Sequence, residues 1–125
     1  ESFKYFVNDL IRTRKDIVGF GIEEQYFKDK YPHTVNKLFL NEKKYGFKER
    51  LLTRESTKFI YNNETTTYRY LPDKLFNPTP TMIYGDKVAI IIWEPMTVII
   101  IKNKELADSY RKHFELLWNM AKENR

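Results

Sequence analysis

The chain has 125 residues, 42% hydrophobic and 16% aromatic, which is enough to bury one core and excludes a disordered segment. It holds no cysteine, which excludes a disulfide scaffold, thiolate metal sites and cysteine nucleophiles. A net charge of +5 permits contact with nucleic acid, but the 22 basic residues are spread among 17 acids rather than gathered in one block.

Phe3, Phe6, Val7, Leu10 and Ile11 recur at i, i+3, i+4, i+7 and i+8, which predicts an amphipathic helix from Ser2 to Arg14. Asp16 to Gly21 reads as a short buried strand ending in glycines. Glu23 to Tyr31 forms a short helix stopped before Pro32. His33 to Tyr45 is a second helix with Val35, Leu38 and Phe39 on one face, and Gly46 is its natural C′ residue. Phe47 to Thr53 is a strand with a polar middle, Lys48-Glu49-Arg50, ahead of Leu51-Leu52. Arg54 to Asn63 is a loop, or a short helix carrying Phe59 and Ile60. Thr66, Tyr68 and Tyr70 alternate with Thr67 and Arg69, so Thr65 to Leu71 is a half-buried strand. Pro72, Asn77, Pro78 and Pro80 mark a linker.

Thr81 to Ile101 is the stretch around which the rest is arranged. Val88–Trp93 and Met96–Ile101 are dense in β-branched residues and do not alternate with polar ones, so both are expected to be covered on both faces. Gly85-Asp86 supplies a hairpin turn after Met82-Ile83-Tyr84, and Glu94-Pro95 breaks the next pair. The stretch therefore predicts a three-stranded antiparallel meander at the middle of the sheet. Its runs are too short to span a bilayer. The last helix opens on Asn103 as N-cap and carries Leu106, Ala107, Tyr110, Phe114, Leu117, Trp118 and Ala121 over a broad face. One arc of it should pack on the sheet, and the surplus is expected to meet a second copy in a homodimer. Helices alternate with strands early and a meander follows, which gives an α/β fold, a mixed sheet with helices packed on its faces.

Few residues carry recognisable chemistry. His33 and His113 read as surface histidines, and no hydrolase, P-loop or metal-ligand motif occurs. No metal and no cofactor is expected. Gly19-Phe20-Gly21 imitates the opening of a dinucleotide fingerprint, but Glu24 stands where the third glycine belongs. The stretch is either a tight strand-to-helix turn or a backbone cradle for an anion. Arg50, Arg54 and Arg69 need carboxylate partners, for which Glu49, Glu55 and Glu94 are available. Trp93 and Trp118 are core residues suited to packing on each other between the sheet and the last helix. Tyr61, Tyr68, Tyr70 and Tyr84 either dress a half-wet sheet or form a stacking platform for bases.

The C-terminal portion, IYGDKVAIIIWEPMTVIIIKNKELADSYRKHFELLWNMAK, resembles the end of the regulatory domain of archaeal TrmB-like transcription regulators, best over Tyr68 to Lys122. The matching features are the Tyr-Gly-Asp-Lys-Val-Ala turn, the Ile-rich strands, Ala107 to Arg111 and Phe114 to Trp118. Residues 1–53 fit only in outline. The resemblance implies a phospholipase-D-like fold and an upstream winged helix-turn-helix that reads DNA. The chain opens on Glu1 rather than Met, so 1–125 is expected to be one effector-type domain excised from a longer cytoplasmic protein. The enzymes of that fold need a His-x-Lys pair. With Asp86 in the Asp place, the resemblance puts Thr79 and Thr81 where the His and Lys belong, and threonine replaces neither. The implied function is therefore non-catalytic: ligand sensing, dimerisation, or both. The alternative is a stand-alone basic nucleic-acid-binding module.

A ligand would sit at the carboxyl ends of the strands. Gly19 and Gly21 end the first strand, and Arg50 and Arg54 flank the next strand's apolar pair. Thr79 and Thr81 would add hydroxyls. Together these six residues are expected to form a small polar pocket for an anionic or hydroxyl-rich effector.

Overall fold

The first apolar stripe becomes α1 (Ser2–Thr13), which ends where Arg14 turns into the left-handed region at φ 54° and donates its N–H to Leu10 O. The computed structural model describes residues 1–125. After α1 come β1 (Ile17–Phe20), α2 (Glu24–Lys30), α3 (Pro32–Tyr45), β2 (Glu49–Arg54), β3 (Thr66–Leu71), β4 (Thr81–Tyr84), β5 (Lys87–Ile92), β6 (Thr97–Lys102) and α4 (Lys104–Met120). Gly46 closes α3 at φ 76°. Asn103 Oδ1 caps α4 by accepting the Leu106 N–H at 2.8 Å. Arg54 to Asn63 is a loop, without the helical option. No helix is long and apolar enough to cross a membrane.

The strands form one six-stranded mixed sheet in the order β3-β2-β1-β4-β5-β6. β1, β2 and β3 run parallel, and β4, β5 and β6 form the expected antiparallel meander, joined to the parallel half through an antiparallel β1–β4 pair. All four residues of β1 are buried, as a strand at the centre of a covered sheet requires. At that centre Gly19 lets two strands close in, since a Cβ there would lie 3.1 Å from Leu51 Cδ2 and 3.3 Å from Met82 Cγ.

Two cores flank the sheet. Phe3, Phe6, Val7 and Leu10 of α1 pack with Phe27, Val35 and Leu38 of α2 and α3 on one face. Ala107, Phe114 and Trp118 of α4 pack on Val18, Leu52, Ile83 and Val88 on the other. Strand parity decides which face each residue serves. Trp93 follows Ala89 and Ile91 to the face under α2, where it meets Phe27 at 5.0 Å between ring centroids. Trp118 lies under α4, stacked on Phe114. The two tryptophans are therefore on opposite faces and do not pack together. Tyr68, Tyr70 and Tyr84 are buried, so they present no stacking platform.

The arginines choose partners other than those expected. Arg50 makes a two-pronged bond to Glu115 of α4 and lies over Phe114 and Trp118. Arg69 donates to Trp118 O at 2.9 Å. Both tie the parallel strands to α4, and neither uses Glu49, Glu55 or Glu94.

One position differs in kind from the reading of the sequence. β5 lies inside the sheet, but β6 is its edge. Ile99, Ile100 and Ile101 are 43%, 37% and 37% exposed. The continuous apolar run signalled coverage that this chain alone does not supply. The broad face of α4 is meanwhile occupied by the sheet, since Leu106, Tyr110, Leu117 and Ala121 all pack on the α4-side core.

Candidate functional site

Parallel strands bring their carboxyl ends to one side, and β5 shares their direction because two antiparallel steps separate it from β1. At this end Glu23 follows β1, Arg54 closes β2, Asp73 and Phe76 follow β3, and Trp93 follows β5. With Tyr26 and Pro78 they line a cleft of about 330 Å³. A more polar hollow of about 420 Å³ shares Glu23, Tyr26 and Arg54 and adds Gln25, Asp29, Ser56 and Lys58. Clefts at strand carboxyl ends, where strand order reverses, are the usual ligand sites of open α/β sheets.

Each polar group in the cleft is held in place. Arg54 Nε donates to Glu23 Oε1 at 2.6 Å, which leaves the two terminal nitrogens of its guanidinium for a ligand. Glu23 Oε2 accepts from the Thr57 hydroxyl. Asp73 accepts from the Ser56 hydroxyl and from Ser56 N–H at 3.2 Å, and the hydroxyl bond keeps its carboxyl below the usual range. Tyr26 and Trp93 form an aromatic wall with ring centroids 3.8 Å apart, and Phe76 lies beneath the Arg54 guanidinium at 5.9 Å. The arrangement offers forked donors, two carboxylate acceptors and an apolar surface, which is recognition chemistry for a small polar molecule with a flat or apolar side.

A buried acidic cluster lies on the α1–α3 face of the sheet, between Glu24 after β1 and Glu49 at the amino end of β2. Glu23 points out to Arg54, while Glu24 points in and accepts Tyr61 N–H at 2.8 Å. Burial pushes the Glu24 carboxyl up to about 7. Glu42 of α3 accepts from Thr65 Oγ1 at 2.6 Å, and Glu49 of β2 faces it. Burial raises both carboxyls, Glu49 well above its ordinary range. Oε2 of each lacks a partner when both are ionised, and one shared proton satisfies the pair. The Tyr61 hydroxyl nearby is also without a partner. No group of three or more acids or histidines is arranged to hold a metal ion.

Of the six residues expected to converge, Arg54 alone lines this cleft. Gly21 has φ +72°, but a Cβ there would lie 2.5 Å from Asn77 O and 2.6 Å from Thr79 O. Its open side is filled by carbonyl oxygens, which repel the anion a cradle would hold. Gly19 is enclosed between Leu51 and Met82. Arg50 is committed to Glu115 on the α4 face. The Thr81 hydroxyl donates to Thr79 O at 3.3 Å, and Thr79 N–H donates to Asn77 Oδ1. Tyr26, Phe76 and Trp93 were not legible as a site because they come from α2, from the β3–β4 connection and from the end of β5, which only the folded sheet brings together. The acids left a fainter trace: Glu42 continues the Val35–Leu38 stripe, and Glu49 alternates with Leu51.

No family model matches the chain, and no curated protein matches it. Among solved structures it is similar to TrmBL2, an archaeal chromatin protein whose structure shows a novel mode of DNA binding. The TM-score is 0.62 at 16% identity, over 95% of this chain and 49% of that one. The chain thus spans about half the length of that protein, and at this identity the likeness shows the fold.

Proposed function

We propose that the chain is the non-catalytic regulatory domain of an archaeal TrmB-like transcription regulator, and that it takes a small anionic or hydroxyl-rich effector in the Arg54–Trp93 cleft. One observation carries the reading: Arg54, fixed through Nε by Glu23, faces the cleft beside the Tyr26–Trp93 wall. The fold shared with TrmBL2 and the sequence resemblance over Tyr68 to Lys122 support the family. DNA would be read by a segment outside these residues, in the cytoplasm. The second reading, a stand-alone nucleic-acid-binding module, draws on the net charge of +5 and on the DNA binding of TrmBL2.

Thermal unfolding against panels of polyols, sugar phosphates and small carboxylates tests the cleft. A ligand at about a hundred times its Kd adds roughly 2.7 kcal/mol of stability. The shift should vanish in both Arg54→Ala and Trp93→Ala. If no compound of these classes shifts the melting temperature, or a shift survives both substitutions, the cleft is not the effector site. Duplex DNA titrated at several salt concentrations separates the two readings, because tight binding with a steep salt slope belongs to the second.

A further inference from the structure

β6 pairs with β5 on one side only. Val98 N–H leaves the sheet to donate to Ser2 Oγ at 2.6 Å, whereas Asn103 N–H turns inward to Asp86 O. The alternation of an antiparallel ladder then assigns Ile100 and Lys102 to the outward set with Val98, while Thr97, Ile99 and Ile101 bond β5. Ile100 and Lys102 thus offer a row of backbone donors and acceptors at an exposed edge, with isoleucines on both faces. Native sheets blunt such edges with charge, proline or a covering segment. The opposite edge has its cover, since Tyr70 of β3 exchanges both backbone bonds with Lys122. On β6 only Lys102 interrupts the apolar run.

We propose that β6 pairs antiparallel with β6 of a second copy of this chain, across a two-fold axis at Ile100, to make one continuous sheet. The inference goes beyond the effector reading and requires neither ligand nor DNA. A two-fold contact is isologous, so the same patch must complement itself. Only outward residues can exchange bonds, which restricts the register to steps of two. Centring on Ile100 places its free N–H and C=O against the partner's Ile100 and leaves the Val98 N–H to Ser2 Oγ, so at each end the Val98 C=O alone bonds, accepting the partner's Lys102 N–H. It also sets the partner's Lys102 opposite Val98. Lys102 shares a face with Val98 and Ile100, and Glu1 lies with those two residues in one surface hollow. The lysine therefore arrives beside a carboxylate. On the other face Ile99 meets the partner's Ile101. Moving the axis to Lys102 would bring two ammonium groups together instead.

Because the chain contains no cysteine, Ile100→Cys introduces a single thiol at the axis. Bonded residues in an antiparallel pair stand about 5.5 Å apart between Cα atoms, within disulfide reach. Under mild oxidation this variant should cross-link about a hundredfold faster than Leu116→Cys, an exposed control on α4, as expected of thiols already held in one complex. The unmodified chain should sediment as a dimer, and Ile99→Lys with Ile101→Lys should sediment as a monomer of unchanged circular dichroism. Equal cross-linking rates overturn the proposal. So does a monomeric parent chain, or a dimer that survives the two lysines.

Discussion

Asp9 and Glu49 are both buried carboxylates, one over each half of the sheet, and the fold shifts their acidities in opposite directions. Asp9 on α1 lies over the meander, where it accepts from Lys87 Nζ at 2.8 Å, Tyr84 OH at 2.9 Å and Arg12 at 2.7 Å. Burial disfavours its charge, yet the bonds from Lys87, Tyr84 and Arg12 outweigh that and keep its carboxyl below the ordinary range. Glu49 over the parallel half has only Glu42 and Glu24 as charged neighbours, and burial drives it toward the neutral form. The meander half thus favours the ionised carboxylate, and the parallel half favours the protonated one. Burial alone does not set a carboxylate's charge; the presence of a cation within bonding distance does.

The largest expected effect comes from removing the ion. Asp9→Ala leaves Lys87 and Tyr84 without their acceptor and should cost about 4 kcal/mol in equilibrium denaturation. A loss below about 1 kcal/mol, the scale of an exposed pair, would erase the contrast between the halves.

The pH dependence follows next. Glu24 titrates near 7 in the folded chain against 4.5 when unperturbed. Between those values the folded state binds the extra proton, so stability is full below about 4.5 and falls as pH rises through 7. The fall should be on the order of 3 kcal/mol between pH 4.5 and 8. The contribution of Asp9 has the opposite sign, being lost only as pH drops below its lowered value, outside this window. Denaturation midpoints that rise from pH 5 to 8 would contradict the assignment.

Glu42→Gln sharpens the comparison with a smaller effect. The amide keeps an oxygen for Thr65 and gives Glu49 a permanent donor, so it should stabilise the chain by roughly 2 kcal/mol at pH 8. At pH 5, where a shared proton already does this, the gain should disappear. Removing residues 122–125 uncovers Tyr70 at the closed edge and should cost about 1 kcal/mol, because the two lost backbone bonds are replaced by water.

Local periodicity carried most of the fold. The stripe at Phe3–Ile11, the Asn103 cap and the Gly85-Asp86 hairpin each sit where residue chemistry places them. What was not legible depends on partners distant in sequence. Met96–Ile101 reads as a central strand because an apolar run looks the same whether helices, strands or another molecule cover it. Trp93 and Trp118 both read as core, but only strand parity shows that they serve opposite cores. The anion cradle at Gly21 failed for a similar reason: glycine freedom is visible in the sequence, but the Asn77 and Thr79 carbonyls that fill the space are not.

The same division appears at the edges, one sealed by the chain's own Lys122 and one open at β6. Amide hydrogen exchange across a dilution series reads both at once. Tyr70 N–H, bonded to Lys122, should be protected at every concentration, as should the inward Ile99 and Ile101 amides. Ile100 and Lys102 should exchange freely in dilute protein and slow by tenfold or more as copies pair, on the order of 1.4 kcal/mol of added protection. Exchange at Ile100 and Lys102 that stays fast at all concentrations would contradict a second copy on β6. Protection already present at high dilution would contradict the open edge itself.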